Sequence, residues 1–463
     1  MSRRGIDLAV LAAIGAGVVA VAAWSASWED SRSHAASFTT AILLGLALWA
    51  AGAAWILRRR PRGLLVVGVV LLAGLGARLA LVPHAPDLSG DIHRYVWDGR
   101  VQAEGINPYR YAPDDPVLAG LRDDEVWPGI NRKPVTTIYP PVAEGGFLAL
   151  HLAGARGVVS LKLAFALIDG IAAVLLLAVL LGRLGRPPAL ALVYAWHPLP
   201  IIEIGRSGHV DGLAVALLLA ALLAHAARRP LASGALLAGA ALVKFYAAAV
   251  LPALLWVGGR RSPKPVIAFA VTAAVAYLPY LGVGSGVLGY LPGYLEEEGF
   301  ETGRRFYLLG RGESLLGDLS IGPVSSAAWY AALAALVMGA VAAWCLRTPP
   351  SSLPQTADRA VLLLLTLMLL SSPTYPWYLV LLTALIPLAS VTTAVPAAIV
   401  CAAAPLLYLQ WWLPSSPSWP LDVTWGAGAV ALVTLVARAG GPWRRRAELV
   451  LRQRRDLMTE ART

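Results

Sequence analysis

Apolar runs recur along the whole chain, at about 6–24, 38–57, 63–82, 158–182, 189–204, 210–227, 265–283, 326–346, 360–371, 377–391, 393–412 and 421–438. A helix needs ~17 to 25 such residues to cross a ~30 Å hydrocarbon core, and within lipid only helices and closed barrels satisfy their own backbone polar groups. With 58% hydrophobic and 14% charged residues, the chain fits no ordinary soluble class. An all-α polytopic membrane protein of about twelve transmembrane helices is predicted.

The charges show how such a chain orients. A formal net charge of +11 suggests nucleic acid at first sight, but the basic residues sit in short clusters between apolar runs: Arg58 to Arg60, Arg228 and Arg229, Arg260 and Arg261, Arg444 to Arg446. That is the positive-inside pattern of a cell-membrane protein, with both termini cytoplasmic and no nucleic-acid partner. Acidic residues gather instead in 83–157 and 284–325, which become two outer loops. The run at 1–24 is longer than the ~7 to 15 apolar residues of a signal core, so it reads as a first span rather than a cleaved leader. Four parts follow: two helices in 1–62, a core in 63–260 with the outer loop 83–157, a helical bundle in 261–440, and a basic cytoplasmic tail in 441–463 suited to anionic lipid. The segment 231–259, with arginines on both flanks and Lys244 near its centre, reads as a hairpin of two short helices. Both cysteines, Cys345 and Cys401, lie inside apolar runs and offer no disulfide or zinc spacing. No inverted pair of broken helices stands out, which counts against a secondary transporter.

Loop 83–157 is too long to be a mere connector, and loops of that length usually carry function. Its head, SGDIHRYVWDGRVQAEGINPYRY, predicts a short helix from Asp91 to near Gly105, closed by Asn107 and Pro108. Asp91 has an ordinary use there as an N-cap. Arg94, Tyr95 and Asp98 follow at helical spacing, giving a polar stripe at the membrane surface. The stretch 139–154 is apolar but short, and reads as an interfacial helix.

Three further places hold ionisable groups that lipid penalises. GRSGHVDG (205–212) brings Arg206, His209 and Asp211 to a turn between two spans, where a plain polar turn with Asp211 as helix cap is the alternative. Lys244, one of four lysines, lies deep in an apolar run, where a charge costs a few kcal/mol and marks a functional site unless it snorkels to an interface. Asp169 and Glu203 are intramembrane carboxylates, Asp169 suited to a neighbouring helix and Glu203 to Arg206. SSPTYPWY (371–378) offers aromatics for an interfacial belt or for stacking on a sugar. Loop 293–314 carries Arg304, Arg305 and Arg311, any one of which reaches a phosphate if the loop folds back.

GDIHRYVWDG followed by GINPY, YPP at 139–141, GHVDGLAV at 208–215 and LVKFY at 242–246 together resemble the GT-C class of membrane glycosyltransferases. The likeness is to the glycosyltransferase 87 (DUF2029) and polyprenol-phosphate-mannose-dependent mannosyltransferase group, and covers roughly residues 60 to 260. Related sequences commonly read GHND where this chain has GHVD, so His209 and Asp211 carry over and Val210 does not. The resemblance implies a GT-C-like bundle and an inverting transfer of a hexose, mannose first, from a polyprenyl-phosphate donor to a lipid or glycan acceptor on the non-cytoplasmic face. It places the base on a carboxylate of the first large outer loop, hence Asp91. A hydroxyl nucleophile needs such a base, and a departing phosphate needs fixed cations. Lys244, His209 and Arg206 are the candidates for the phosphate; Asp211, Arg94, Tyr139 and Tyr246 are the candidates for substrate positioning. The donor is a co-substrate, so no cofactor or metal is expected. A lipid-linked sugar flippase is the main rival, and a non-catalytic scaffold the second.

Overall fold

The computed structural model describes residues 2–321, 324–413, 418–434 and 437. The chain is a polytopic membrane protein: among the described residues eight helices are long and apolar enough to cross a membrane, and four shorter apolar helices accompany them. Apart from a two-residue antiparallel pair at Trp256–Val257 and Arg260–Arg261 and a single bridge, the described secondary structure is helical. The basic cluster Arg444 to Arg446 and the tail from 441 lie outside the described residues.

Helices α1 (Arg3–Ser25), α2 (Ala35–Arg59) and α3 (Leu64–Leu81) form the first layer. Lipid offers no hydrophobic drive between helices, so close approach relies on small residues. Gly15 and Gly52 accordingly leave room for the Trp196 ring, and Gly45 for Pro198. α3 carries the chain from the Arg58–Arg60 end to the loop that begins with Asp91.

The long helix Val158–Arg183 packs behind α3, with a π-bulge at Ile168–Ala173 that turns Asp169 inward. Asp169 Oδ2 meets Arg78 Nε at 2.6 Å, both side chains are fully buried, and the Tyr194 hydroxyl donates to the other oxygen. Arg78 also donates to the carbonyls of Gly74 and Ala195 at 2.9 and 2.8 Å. A buried ion pair needs such added hydrogen bonds, since attraction alone does not repay its desolvation; among the described residues only Arg78 Nη2 of this cluster has no partner. Asp169 is thus a helix-to-helix strut, in line with the reading of its sequence context.

Segment 189–204 departs from expectation. In place of one continuous span it is a chain of short pieces: a 3-10 turn at Pro188–Ala191, turns at Leu192–Ala195 and Pro198–Pro200, and a π-segment at Ile201–Arg206. Prolines at 187, 188, 198 and 200 remove the amide hydrogens that a continuous ladder requires. The segment is buried throughout, so its irregular backbone faces protein rather than lipid. Span 421–438 lies partly outside the described residues.

Loop 83–157 folds into α4 (Asp91–Ala103) and α5 (Pro141–Leu152), which pack on each other. α4 ends at Ala103, near the predicted end, and Gly105, at φ +75°, takes the left-handed turn that follows it. The segment 230–254 forms the anticipated pair of short helices, Pro230–Ala241 and Phe245–Leu254, with Lys244 at the break in an extended conformation. The two features lock together. The Leu242 carbonyl, freed at the break, accepts from the backbone N–H groups of Val142 and Ala143 at 3.1 Å each, so the first turn of α5 caps the broken helix.

Candidate active site

A cavity of about 580 Å³ lies where α4, the break at Lys244, loop 284–325 and the 371–378 turn converge. It is lined by Asp91, Arg94, Tyr139, Lys244 and Tyr246 from the first 260 residues, and by Tyr294, Arg305, Tyr375, Trp377 and Tyr378 from the rest.

Asp91 does not act as an N-cap. Gly90 occupies that position, and Asp91 is the first residue of α4. Its Oδ1 accepts from Asn131 Nδ2 at 2.8 Å, and its Oδ2 lies 4.0 Å from His209 Nε2. The side chain is 19% exposed, open to the cavity and otherwise enclosed.

The charge pattern around it is lopsided. Among the described residues Asp91 is the only carboxylate lining the cavity, against four cations: Arg94, Arg132, Lys244 and Arg305. Each cation is held from behind by its own acid: Arg94 by Asp98 at 2.9 Å, Arg132 by Glu297 at 2.7 Å, Lys244 by Asp211 at 3.0 Å, and Arg305 by Glu298. These outer carboxylates fix the position of the cations without lining the cavity themselves.

Lys244 and Tyr246 converge on Asp211. The ammonium lies 3.0 Å from Oδ2, and the Tyr246 hydroxyl donates to Oδ1 at 2.9 Å. Asp211 is the first residue of helix Asp211–Ala226, behind Val210 as its cap. Of the three charged residues in GRSGHVDG, then, Asp211 reaches the cavity through Lys244, whereas the other two lie behind its wall. Arg206 is paired with Asp87 at 2.6 Å, donates to the Ser25 carbonyl, and lines a separate cavity of about 40 Å³ against α1 and α2. The expected pairing of Glu203 with Arg206 is not made. Glu203 instead accepts from the Tyr408 hydroxyl and bonds His209 Nδ1 at 3.0 Å. The glycines of the motif serve packing: a Cβ on Gly205 would stand 2.9 Å from the Arg78 carbonyl oxygen, and Gly208 takes φ +74°.

Sequence reading left open which arginine of loop 293–314 folds back. Arg305 lines the cavity, donates to the Ser371 carbonyl at 3.0 Å, and stacks over Phe300 with its guanidinium carbon 4.6 Å from the ring centre. Arg311 pairs with Asp422 away from the cavity. The 371–378 turn places Tyr375 and Trp377 in a stacked pair, centroids 4.5 Å apart, and sets Tyr378 hydroxyl to hydroxyl with Tyr294 at 2.9 Å. Asn131, Arg132 and Tyr294 carry no signal in the sequence: Asn131 and Arg132 reach the cavity from a loop, and Tyr294 from the short helix Leu291–Glu297 inside the outer loop.

Beneath Arg94, α4 and α5 bury two carboxylates together. Glu144 is fully enclosed, accepting from the Thr137 hydroxyl at 2.7 Å and from Gln102 at 2.8 Å. Burial, reinforced by the nearby Asp98 charge, holds the Glu144 carboxyl well above the usual range; burial also raises Asp98, with Arg94 opposing. Because the folded state keeps a proton on Glu144 that the unfolded chain loses near pH 4.5, stability falls as pH rises above that value. The slope, up to about 1.4 kcal/mol per pH unit, persists until the folded group also ionises. Glu144→Gln is expected to flatten it, seen as a melting temperature in detergent that depends less on pH between about 5 and 8 than that of the unsubstituted protein.

A family model described as alpha-(1->6)-mannopyranosyltransferase, N-terminal domain, matches residues 4–260, more than half of the chain. The chain belongs to this mannosyltransferase family. It is a membrane mannosyltransferase of the GT-C, polyprenyl-phosphate-mannose-dependent group. A comparison with curated proteins returned no match. The matched region of the mannosyltransferase contains Asp91, Arg94, Tyr139, His209, Asp211, Lys244 and Tyr246; Arg305 and the 371–378 aromatics come from beyond it.

Proposed function

We propose that this mannosyltransferase moves mannose from a polyprenyl-phosphate donor to a hydroxyl of a lipid-borne or glycan acceptor on the non-cytoplasmic face, inverting the anomeric centre, with Asp91 as general base. The observation that carries this reading is a single carboxylate, among the described residues, in a cavity whose lining also holds four cations and a group of aromatic rings. A base must reach the acceptor hydroxyl, and cations must meet the charge growing on the departing phosphate. Lys244 is the phosphate contact, with Arg305 on the same cavity wall as a second cation. Arg94, Tyr139 and Tyr246 border the sugar, and the stacked Tyr375 and Trp377 supply a flat apolar face for it. Orientation follows from the arginine clusters: α3 separates the Arg58–Arg60 end from the cavity end, which the positive-inside rule puts outside. Both termini are then cytoplasmic, with about twelve crossings counted from the apolar runs.

The test is release of free polyprenyl phosphate from a panel of labelled polyprenyl-phosphate sugars, with purified protein in lipid and membrane extract as acceptor. Release from the mannose donor, with mannose recovered in the acceptor in an α-(1→6) linkage, is the expected result. Movement of intact donor across the bilayer without bond cleavage would turn the reading to a flippase.

A further inference from the structure

His209 is fully buried and does not line the cavity, yet its ring joins two carboxylates. Nδ1 is 3.0 Å from Glu203 Oε2, and Nε2 has no hydrogen-bond partner and faces Asp91 Oδ2 at 4.0 Å. Glu203 is itself fully buried and is fixed by the Tyr408 hydroxyl, which lies 3.0 and 3.1 Å from its two oxygens. Trp377, a cavity residue, packs on the imidazole with centroids 4.3 Å apart. The remaining charged groups near the ring are otherwise engaged. Lys162, which packs against Gly208, donates to the carbonyls of Leu81 and His84, and Asp211 is held by Lys244 and Tyr246. An orphaned imidazole nitrogen so enclosed demands a use, because a buried polar atom left unpaired costs ~1–3 kcal/mol.

We propose that His209 is the second station for the acceptor proton, held in place by Glu203. This rests on Asp91 as base. The acceptor O–H bond breaks and its proton passes to Asp91 Oδ2 as the new C1–O bond forms. The C1–O bond to phosphate breaks, and its electron pair leaves on the polyprenyl phosphate. In the substrate complex Oδ2 closes from 4.0 Å to hydrogen-bond reach of His209 Nε2, and the proton crosses to it, restoring the Asp91 carboxylate and leaving the imidazolium between two carboxylates. From there it returns through Asp91 to the departing phosphate, whose second ionisation lies near neutrality. In this scheme Nδ1 donates to Glu203 and Nε2 is the accepting nitrogen. His209 has no contact with the donor phosphate in this scheme, which separates its effect from that of Lys244.

The experiment compares unsubstituted protein, His209→Gln and Glu203→Gln in lipid, measuring kcat, donor KM and the pH–rate profile, with melting temperature as a check on folding. His209→Gln is expected to lower kcat on the order of 100-fold with donor KM unchanged, the usual scale of a lost proton-transfer partner. Glu203→Gln replaces the carboxylate that lies 3.0 Å from Nδ1, so the acid limb of the profile is expected to move to lower pH. Full turnover in His209→Gln would overturn the proposal, as would a raised donor KM with kcat intact. An unmoved limb in Glu203→Gln with uniformly lower kcat would reduce the pair to a structural role, and this arm decides should His209→Gln not fold. Turnover retained in Asp91→Asn would sink the base reading itself, whereas an inactive Asp91→Asn beside a fully active His209→Gln would remove the relay alone.

Discussion

Asp91→Asn is expected to lose mannosyl transfer by about 10²- to 10⁴-fold in kcat while still binding the donor. The substitution keeps the size of the side chain, and Asn retains an oxygen to accept from Asn131, so α4 keeps its place. What it removes is the only carboxylate among the described residues that faces the cavity. The four lining cations and their backing acids remain, so the donor phosphate finds the same charges as before. Single-turnover rates with preloaded donor, alongside equilibrium binding of a polyprenyl-phosphate analogue, separate the two effects. Near-normal turnover would remove Asp91 from the role of base.

Lys244→Met is expected to fail differently. Loss of one charge-assisted phosphate contact, ~1.5–3 kcal/mol, raises donor KM by roughly 10- to 100-fold. The same change strands Asp211, which is fully buried and 3.0 Å from the missing ammonium. Breaking a buried pair from one side costs about 3–5 kcal/mol in stability, so the melting temperature falls as well. Adding Asp211→Asn neutralises the stranded charge and keeps an acceptor for Tyr246. The double variant is expected to recover much of the melting temperature without recovering donor affinity. Recovery of both together would show that Lys244 serves the fold alone.

Legibility in the sequence followed locality. Asp91 and Arg94 are one helical turn apart on α4, and Lys244 and Tyr246 flank one break, so short motifs sufficed to mark them. Lys244 drew attention because a charge in an apolar run is expensive, and the structure places it on the cavity wall. GRSGHVDG was harder, because one turn sends its charged groups in three directions: Arg206 to Asp87, His209 to Glu203 and Asp91, Asp211 to Lys244. Nothing in the spacing of those residues reveals which partner waits at each position. Glu203 stood out as an intramembrane carboxylate, but Tyr408, which fixes it, lies 205 positions along the chain. Asn131 and Arg305 sit in loops where polar residues are ordinary, and only tertiary folding distinguishes them from solvated neighbours. The broken span at 189–204 differs in kind: hydropathy registers its apolar residues, while its prolines set its backbone.

The bond network around the Leu242 carbonyl has a geometric consequence. Val142 and Ala143 join the broken helix bearing Lys244 to α5, and α5 packs on α4, which bears Asp91. The gap between Asp91 and Lys244 is therefore gauged on one side by main-chain bonds and on the other by the packing of α5 on α4, like the jaws of a caliper. A mannose donor and an acceptor held in the cavity would meet at a separation that the fold, not the substrates, sets.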